Sequence, residues 1–257
     1  MECPQGGHFL ATARCEAVPI APVELQAVVP FIRQPRPPPM EPLWHFSSEA
    51  FKDWDAHPED LQTHTYGGEG DLKVATLNVN NLSIHQLGGV LWWMGRHEVD
   101  VMCLQDTRVR QRDAKLYKQW VREALGPQAK CFVHGGVHGE GQMAIGGQMI
   151  IVGQLWGTKC HDHQSDPSEV GVVSSITIKL MTGHLRLIST YWPVKTSGAA
   201  ADLPGRLWNQ VSSYLRNTRK STDTPLEYIQ TQIMGLSDGT MGHGGNSVIL
   251  MGDVNAS

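Results

Sequence analysis

The sequence predicts an α/β domain with a mixed β-sheet, set behind a proline-rich amino-terminal region. Three observations predict it. Continuous apolar runs such as "VDVMCLQ" read as strands buried on both faces. Stretches of helical periodicity lie beside them, as in "SIHQLGGVLWWMGRH". Further on, "VGVVSSITIKL" and "HLRLISTYW" are joined by the short "MTG", which reads as an antiparallel hairpin.

Residues 1–70 lack sustained periodicity. Pro35, Pro37, Pro38, Pro39 and Pro42 crowd one short stretch, which favours extended geometry and forbids helix. This part is expected to be a linker or a largely disordered arm, with one short helix over "EAFKDWDAHPEDL". The domain is expected over 71–257.

"LKVATLNV" is its first strand. The helix after it opens on a capping box, Ser83 with Gln86, and carries Ile84, Leu87, Leu91 and Met94 on one face. Gly88 and Gly89 weaken that helix by up to ~1 kcal/mol each relative to Ala, so they are read as close-packing positions. "DAKLYKQWVREALG" is a second amphipathic helix, with Asp113 as N-cap and Gly126-Pro127 as the stop. The strand "KCFVH", the glycine-rich loop "GGVHGEGQMAIGG" and the strand "QMIIV" follow. In the hairpin, Val170, Val172, Ser174, Ile176, Ile178 and Leu180 alternate onto one face. Helical stretches around 203–215 and 226–236 precede the last strand, "SVILMGDV".

Composition narrows the function classes. A chain of 257 residues accommodates one sizeable α/β domain with a tail. A net charge of -4 makes no electrostatic case for a nucleic-acid coat or a membrane-surface protein. It leaves a nuclease open, because divalent cations neutralise phosphate locally. The five cysteines are widely spaced and form no CxxC pair, which argues against a disulfide framework. No signal-peptide pattern opens the chain and no run reaches the ~18 apolar residues of a membrane span. The expectation is an intracellular protein, with a nuclear location left open and no membrane contact.

Three strand ends finish in side chains able to hold a metal: Asn78 and Asn80, Gln105 and Asp106, Asp253 and Asn255. Each alone reads as a turn terminating a strand. Three together, each after a buried strand, point to a site of hard oxygen ligands suited to Mg²⁺ or Mn²⁺. Arg108, Arg110 and Arg112 follow Asp106 and suit phosphate-backbone contacts, or else a solvated loop.

These residues also carry a resemblance. "LKVATLNVNNL", "DVMCLQDTR", "LRLISTYWPV" and "VILMGDVNA" resemble, in order, the motifs of the endonuclease/exonuclease/phosphatase family. The order and spacing are most similar to the apurinic-like endonuclease domain of non-LTR retrotransposons, and the resemblance covers 72–257. It implies a DNase I-like fold, two β-sheets packed as a sandwich and flanked by helices. It implies metal-dependent hydrolysis of phosphodiester bonds, with DNA as partner. Asp106, Asn78 and Asn80 would then serve the metal, and Tyr191 would contact the scissile phosphate. Asp253 and Asn255 would position the attacking water and the phosphate oxygens.

The chain departs from that pattern in places. The family has Glu where Asp106 stands, a loss of about 1.5 Å of reach. Misplacing a catalytic group by ~1 Å costs on the order of 10²-fold. Asn81 replaces a usual Gly, and Val194 stands at a commonly polar position. Family members continue past this last strand to a terminal Asp-His pair, and no histidine follows Asp253. The expectation is therefore a domain incomplete at its carboxyl end, retroelement-derived, and weak or inactive as written. "CHDH" (Cys160 to His163) lacks the spacing of zinc ligands. His134 and His138 have i,i+4 spacing but are separated by Gly135 and Gly136, which disfavour the helix that would present both on one face. Two other readings stand beside the nuclease: a phosphatase acting on inositol phosphates or lipid headgroups, and a non-catalytic remnant or binding module.

Overall fold

The computed structural model describes residues 63–66, 72–138, 144–181, 183–195, 207–241 and 246–254. The proline cluster and the short helix expected over residues 49–61 lie outside the described residues.

The first sheet begins with an edge strand, β1 (Thr63–Tyr66), antiparallel to β2 (Leu72–Asn78). β3 (Val101–Gln105) runs parallel to β2, which requires a crossover, and helix α1 (Ile84–His97) makes it. The Ser83–Gln86 capping box closes the amino end of α1, with both reciprocal hydrogen bonds present. Helix α2 (Ala114–Leu125) follows a 3₁₀ turn over Gln111–Asp113. Asp113 is not the side-chain cap that the sequence predicts. It already has helical backbone angles within that turn (φ -88, ψ -8) and caps nothing with its carboxylate. β4 (Lys130–His134) and β7 (Gln148–Val152) complete the sheet in the order β1-β2-β3-β7-β4. The glycine-rich loop is partly a two-stranded ribbon, β5 (Val137–His138) with β6 (Ala144–Ile145).

A short helix, α3 (Gln154–Gly157), leads to the second sheet. Its strands are β8 (Cys160–Ser165), β9 (Val173–Lys179), β10 (His184–Trp192) and β11 (Ser247–Val254), ordered β11-β10-β9-β8. β9 and β10 form the expected hairpin, and β11 joins β10 in parallel. Helices α4 (Leu207–Tyr214) and α5 (Pro225–Met241) span that connection, with a π-helical turn over Leu215–Arg219 between them. Both sheets are thus mixed in direction.

The sheets pack face to face through Leu72, Val74, Val101, Cys103, Ile150 and Val152 on one side. Cys160, Ile176, Ile178, Leu185, Leu187 and Met251 face them from the other. α1 and α2 cover the outer face of the first sheet, α4 and α5 that of the second. The architecture is the helix-flanked two-sheet sandwich that the resemblance implies. With both faces of β9 covered, its alternation is incomplete: Ser174, Ser175 and Thr177 are buried alongside the apolar residues. Cys103, Cys131 and Cys160 are free and buried, and burial pushes their thiols up to about 12, 12 and 11.

"CHDH" forms the edge strand β8, which the polar sequence conceals. Strand alternation and a bulge between His161 and Gln164 send its side chains apart. Asp162 pairs with Arg186 at 2.5 Å, while His163 stacks on Phe132 and lies 3.2 Å from the Ser174 hydroxyl. Among the described residues, no group of three or more His, Cys, Asp and Glu is arranged to hold a metal. Nor is any described helix long and apolar enough to cross a membrane.

Two expected outcomes follow from this packing. β1 lies within the region read from composition as an arm, so we expect the protease-resistant unit to begin before Thr63. Mass spectrometry of the limit digest checks this, and a stable core starting at Asp71 would show β1 to be dispensable. The second concerns acid. Burial first, with neighbouring positive charge, pulls His163 down to about 4 from an ordinary histidine value of 6.5. The unfolded chain therefore binds that proton more readily, so stability is full above about pH 6.5 and lost as pH falls toward about 4. His163→Phe keeps the stacking and removes the titration, so its melting temperature should fall less steeply across that window.

Candidate active site

The apolar interior between the sheets changes character toward one end, and the site sits there. At the carboxyl ends of β2 and β3, Gln105 is fully buried and donates to the Thr76 hydroxyl and, across the sandwich, to the Ser189 hydroxyl, both at 2.9 Å. Gln105 is thus the floor of the site, joining the two sheets beneath it. The sequence offers one signal for this, a glutamine closing an otherwise apolar run.

Above that floor the loops after β2 and β3 continue to pair by backbone. Val79, Asn81 and Leu82 donate to the carbonyls of Gln105, Asp106 and Thr107 at 3.1, 2.8 and 2.8 Å. Thr107 and Arg108 donate in turn to Gly147 and Gly146 at 3.1 and 2.8 Å. Asn80, Asn81, Asp106 and Arg108 all have left-handed backbones, with φ of 43, 89, 49 and 53. Such conformations cost about 1–3 kcal/mol each for non-glycine residues and persist only where surrounding structure holds them. Here the zipped loops hold them.

β11 brings Asp253 to the same end. Gly252 makes this possible. Its φ is +147, and a Cβ there would lie 1.9 Å from the Thr190 carbonyl oxygen of β10. Only glycine lets β11 seat against β10 with Asp253 opposite Tyr191 in register. The Asn78 amide, at the end of β2, donates to the Asp253 carboxylate at 2.6 Å, and the Asn78 oxygen accepts from the Asn80 backbone at 3.0 Å. Asn78 therefore stitches the first sheet to the second and orients Asp253.

The structure brings Asn78, Asn80, Asp106, Arg108, Tyr191 and Asp253 together. Tyr191 hydrogen-bonds with Asn78 and feels the charges of Asp106, Asp253 and Arg108. Burial first, then the two carboxylates, hold its phenol far above the usual range, so it stays an O–H donor at neutral pH. Burial also raises Asp106, and Asp253 adds to this; the Arg108 guanidinium and the Gly146 backbone N–H oppose it. Burial is the larger effect. Asp106 raises Arg108 in turn. Arg108 does not project outward as a free phosphate contact. Its Nε and Nη2 reach the two Asp106 oxygens at 3.2 and 2.9 Å, and Nη2 also meets the Asn80 oxygen at 2.6 Å. Arg110 is half-buried, and its backbone bridges to Gly136. Asn255 lies outside the described residues.

Two neighbouring carboxylates, Asp106 and Asp253, with amide oxygens beside them, make a donor set that fits a hard divalent cation. Nearby, Thr107 Oγ1, His134 Nδ1 and both polar atoms of Gln148 are buried with no hydrogen-bond partner. His134 Nδ1 lies 3.8 Å from Asp166. Asp166 itself is satisfied by the backbone of Ser168, Val172 and Val173 and by the Tyr228 hydroxyl.

No family model and no curated protein matches the chain. Its structure is similar to several solved ones. An endonuclease/exonuclease/phosphatase family protein from Leptotrichia buccalis is 15% identical, with a TM-score of 0.44, over 72% of this chain and 67% of that one. An AP endonuclease from Archaeoglobus fulgidus is 20% identical, with a TM-score of 0.37, over 59% and 52%. The endonuclease domain of TRAS1, a telomere-specific non-LTR retrotransposon, is 13% identical, with a TM-score of 0.40, over 72% and 61%. The chain thus spans about half to two thirds of the length of these structures.

Gly252→Ala tests how Asp253 is delivered. Forcing a methyl against the Thr190 carbonyl should cost about 1–3 kcal/mol in a denaturant titration. A change below about 0.5 kcal/mol, the usual span of a neutral substitution, would show that β11 tolerates a side chain there.

Proposed function

We propose that this chain is a metal-assisted phosphodiester hydrolase of the endonuclease type, acting on DNA and derived from a retroelement. The observation that carries the reading is the meeting of Asn78, Asp106, Tyr191 and Asp253 at one mouth of the sandwich. The ordered sequence motifs support the nucleic-acid substrate and the retroelement origin.

In this reading Asp106, with the amide oxygens of Asn78 and Asn80, would hold a divalent cation, Mg²⁺ or Mn²⁺. Such a cation, when bound, neutralises charge developing on the phosphoryl oxygens. The remaining work falls to the chain's own side chains. Asp253, held in place by Asn78 at 2.6 Å, accepts hydrogen bonds from a water and aims it at phosphorus. Tyr191 donates its phenolic proton as a hydrogen bond to a phosphate oxygen and stabilises the equatorial charge. Asn255 is assigned a second donor role beside Asp253. Arg108 and Arg110 are assigned to the substrate backbone, Arg108 once released from Asp106. Turnover is low in this reading, for two reasons. Asp106 reaches about one bond less far than Glu, and both its oxygens are engaged by Arg108.

The test is nicking of supercoiled plasmid and cleavage of an abasic-site duplex with Mg²⁺ or Mn²⁺. Slow, chelator-sensitive cleavage is expected, reduced by about 10²-fold or more in Asp253→Ala. Cleavage that survives both chelation and that substitution would overturn the assignment. So would the absence of any metal-dependent difference between the two proteins in cleavage and in duplex binding.

A further inference from the structure

We propose that Arg108 is the resident counter-ion of this site, and that its guanidinium and a divalent cation exclude one another at the Asp106 carboxylate. The inference rests on the metal-assisted reading above. It adds a built-in competitor that sets how readily the cation enters.

The geometry is specific. One guanidinium engages both Asp106 oxygens, at 3.2 and 2.9 Å, together with the Asn80 side-chain oxygen at 2.6 Å. Those three oxygens are the ones the metal reading assigns to the cation from these two residues. A hard divalent cation would draw its direct ligands from such oxygens, which the guanidinium already engages. Two positive groups cannot share that contact, since their repulsion is strong at such separations in a site shielded from water.

Nor is this a chance rotamer of an exposed arginine. The Arg108 side chain is 29% exposed and that of Asp106 8%. Left-handed backbones at both Asp106 and Arg108 curl the segment so that the side chain two residues on returns over the carboxylate. The curl is fixed by backbone bonds from Asn81 to Asp106 and from Arg108 to Gly146, each 2.8 Å. Gly146 is itself left-handed, and a Cβ there would lie 2.6 Å from the Val170 carbonyl oxygen, so this support admits only glycine. A planar fork suits the two oxygens of a carboxylate, and it suits phosphate equally. A phosphodiester entering the mouth therefore offers the guanidinium another anion and frees Asp106.

The experiment is Mn²⁺ binding to the full chain, read from the electron paramagnetic resonance of free Mn²⁺. The proteins are the wild type, Arg108→Gln, Arg108→Lys, Asp106→Asn and the Arg108→Gln/Asp106→Asn double variant. Arg108→Gln should bind Mn²⁺ about tenfold or more tightly than wild type, as expected for removing a charged hydrogen-bonded competitor. Arg108→Lys, which keeps the charge without the fork, should fall between. The double variant should lose the gain. Thermal melts give a second readout: Arg108→Gln should melt below wild type without Mn²⁺ and rise further on saturation with it. If Arg108→Gln and Arg108→Lys bind no more tightly than wild type while Asp106→Asn still weakens binding, exclusion is overturned and the metal reading stands. If no protein binds Mn²⁺ in a way that depends on Asp106, both are overturned. Should Arg108→Gln not fold, unchanged affinity in Arg108→Lys alone overturns the proposal.

Discussion

The carboxylate of Asp106 stands at the rim of an apolar sandwich, 6% exposed, and a charge there is costly unless something opposes it. Much of the local structure serves that opposition. Arg108 grips both oxygens, the Gly146 N–H adds a third donor, and four left-handed residues shape the loops that deliver these groups. Removing one partner from such an arrangement leaves an uncompensated buried charge, which is why the loops are tied by backbone rather than by side chains alone.

The same constraint organises the chemistry. Asp106 and Asp253 arrive on different sheets, and the charge of Asp253 adds to the burial that makes Asp106 harder to ionise. Their proximity is maintained by neutral groups between them: Asn78, which orients Asp253, and Tyr191, which remains protonated beside both. Below them Gln105 and Ser189 join the sheets with polar side chains, so the apolar packing ends before the acids begin. Carboxylates gathered at the rim of an apolar sandwich leave negative charge that needs an offset. Arg108 supplies that offset within the chain.

Legibility in the sequence varied with how far each element depends on its own residues. α1 was readable because its cap and its apolar face are local. β3 was readable because five buried residues in succession leave no alternative to a covered strand of that length. β8 was not. "CHDHQS" is an edge strand with mostly polar, solvent-facing side chains, and such a pattern is indistinguishable from a loop without its neighbour β9. Asp113 failed as a cap because the 3₁₀ turn before α2 had already drawn it into helical geometry.

For the site, the chemical types and their order along the chain were present in the sequence: amides after β2, an acid after β3, a phenol in β10, an acid in β11. That is because strand ends are set by short-range pattern, and oxygen-bearing residues can be counted there. What only the tertiary structure decided is which of these atoms meet. Asn78 and Asp253 are 175 positions apart and join only because β10 and β11 lie over β2 and β3. Arg108 turns inward rather than toward solvent because the backbone at 106 and 108 is left-handed, a conformation imposed by bonds to Gly146 and to the loop after β2. Side-chain direction at such positions follows from long-range hydrogen bonding, and no local pattern of residues encodes it.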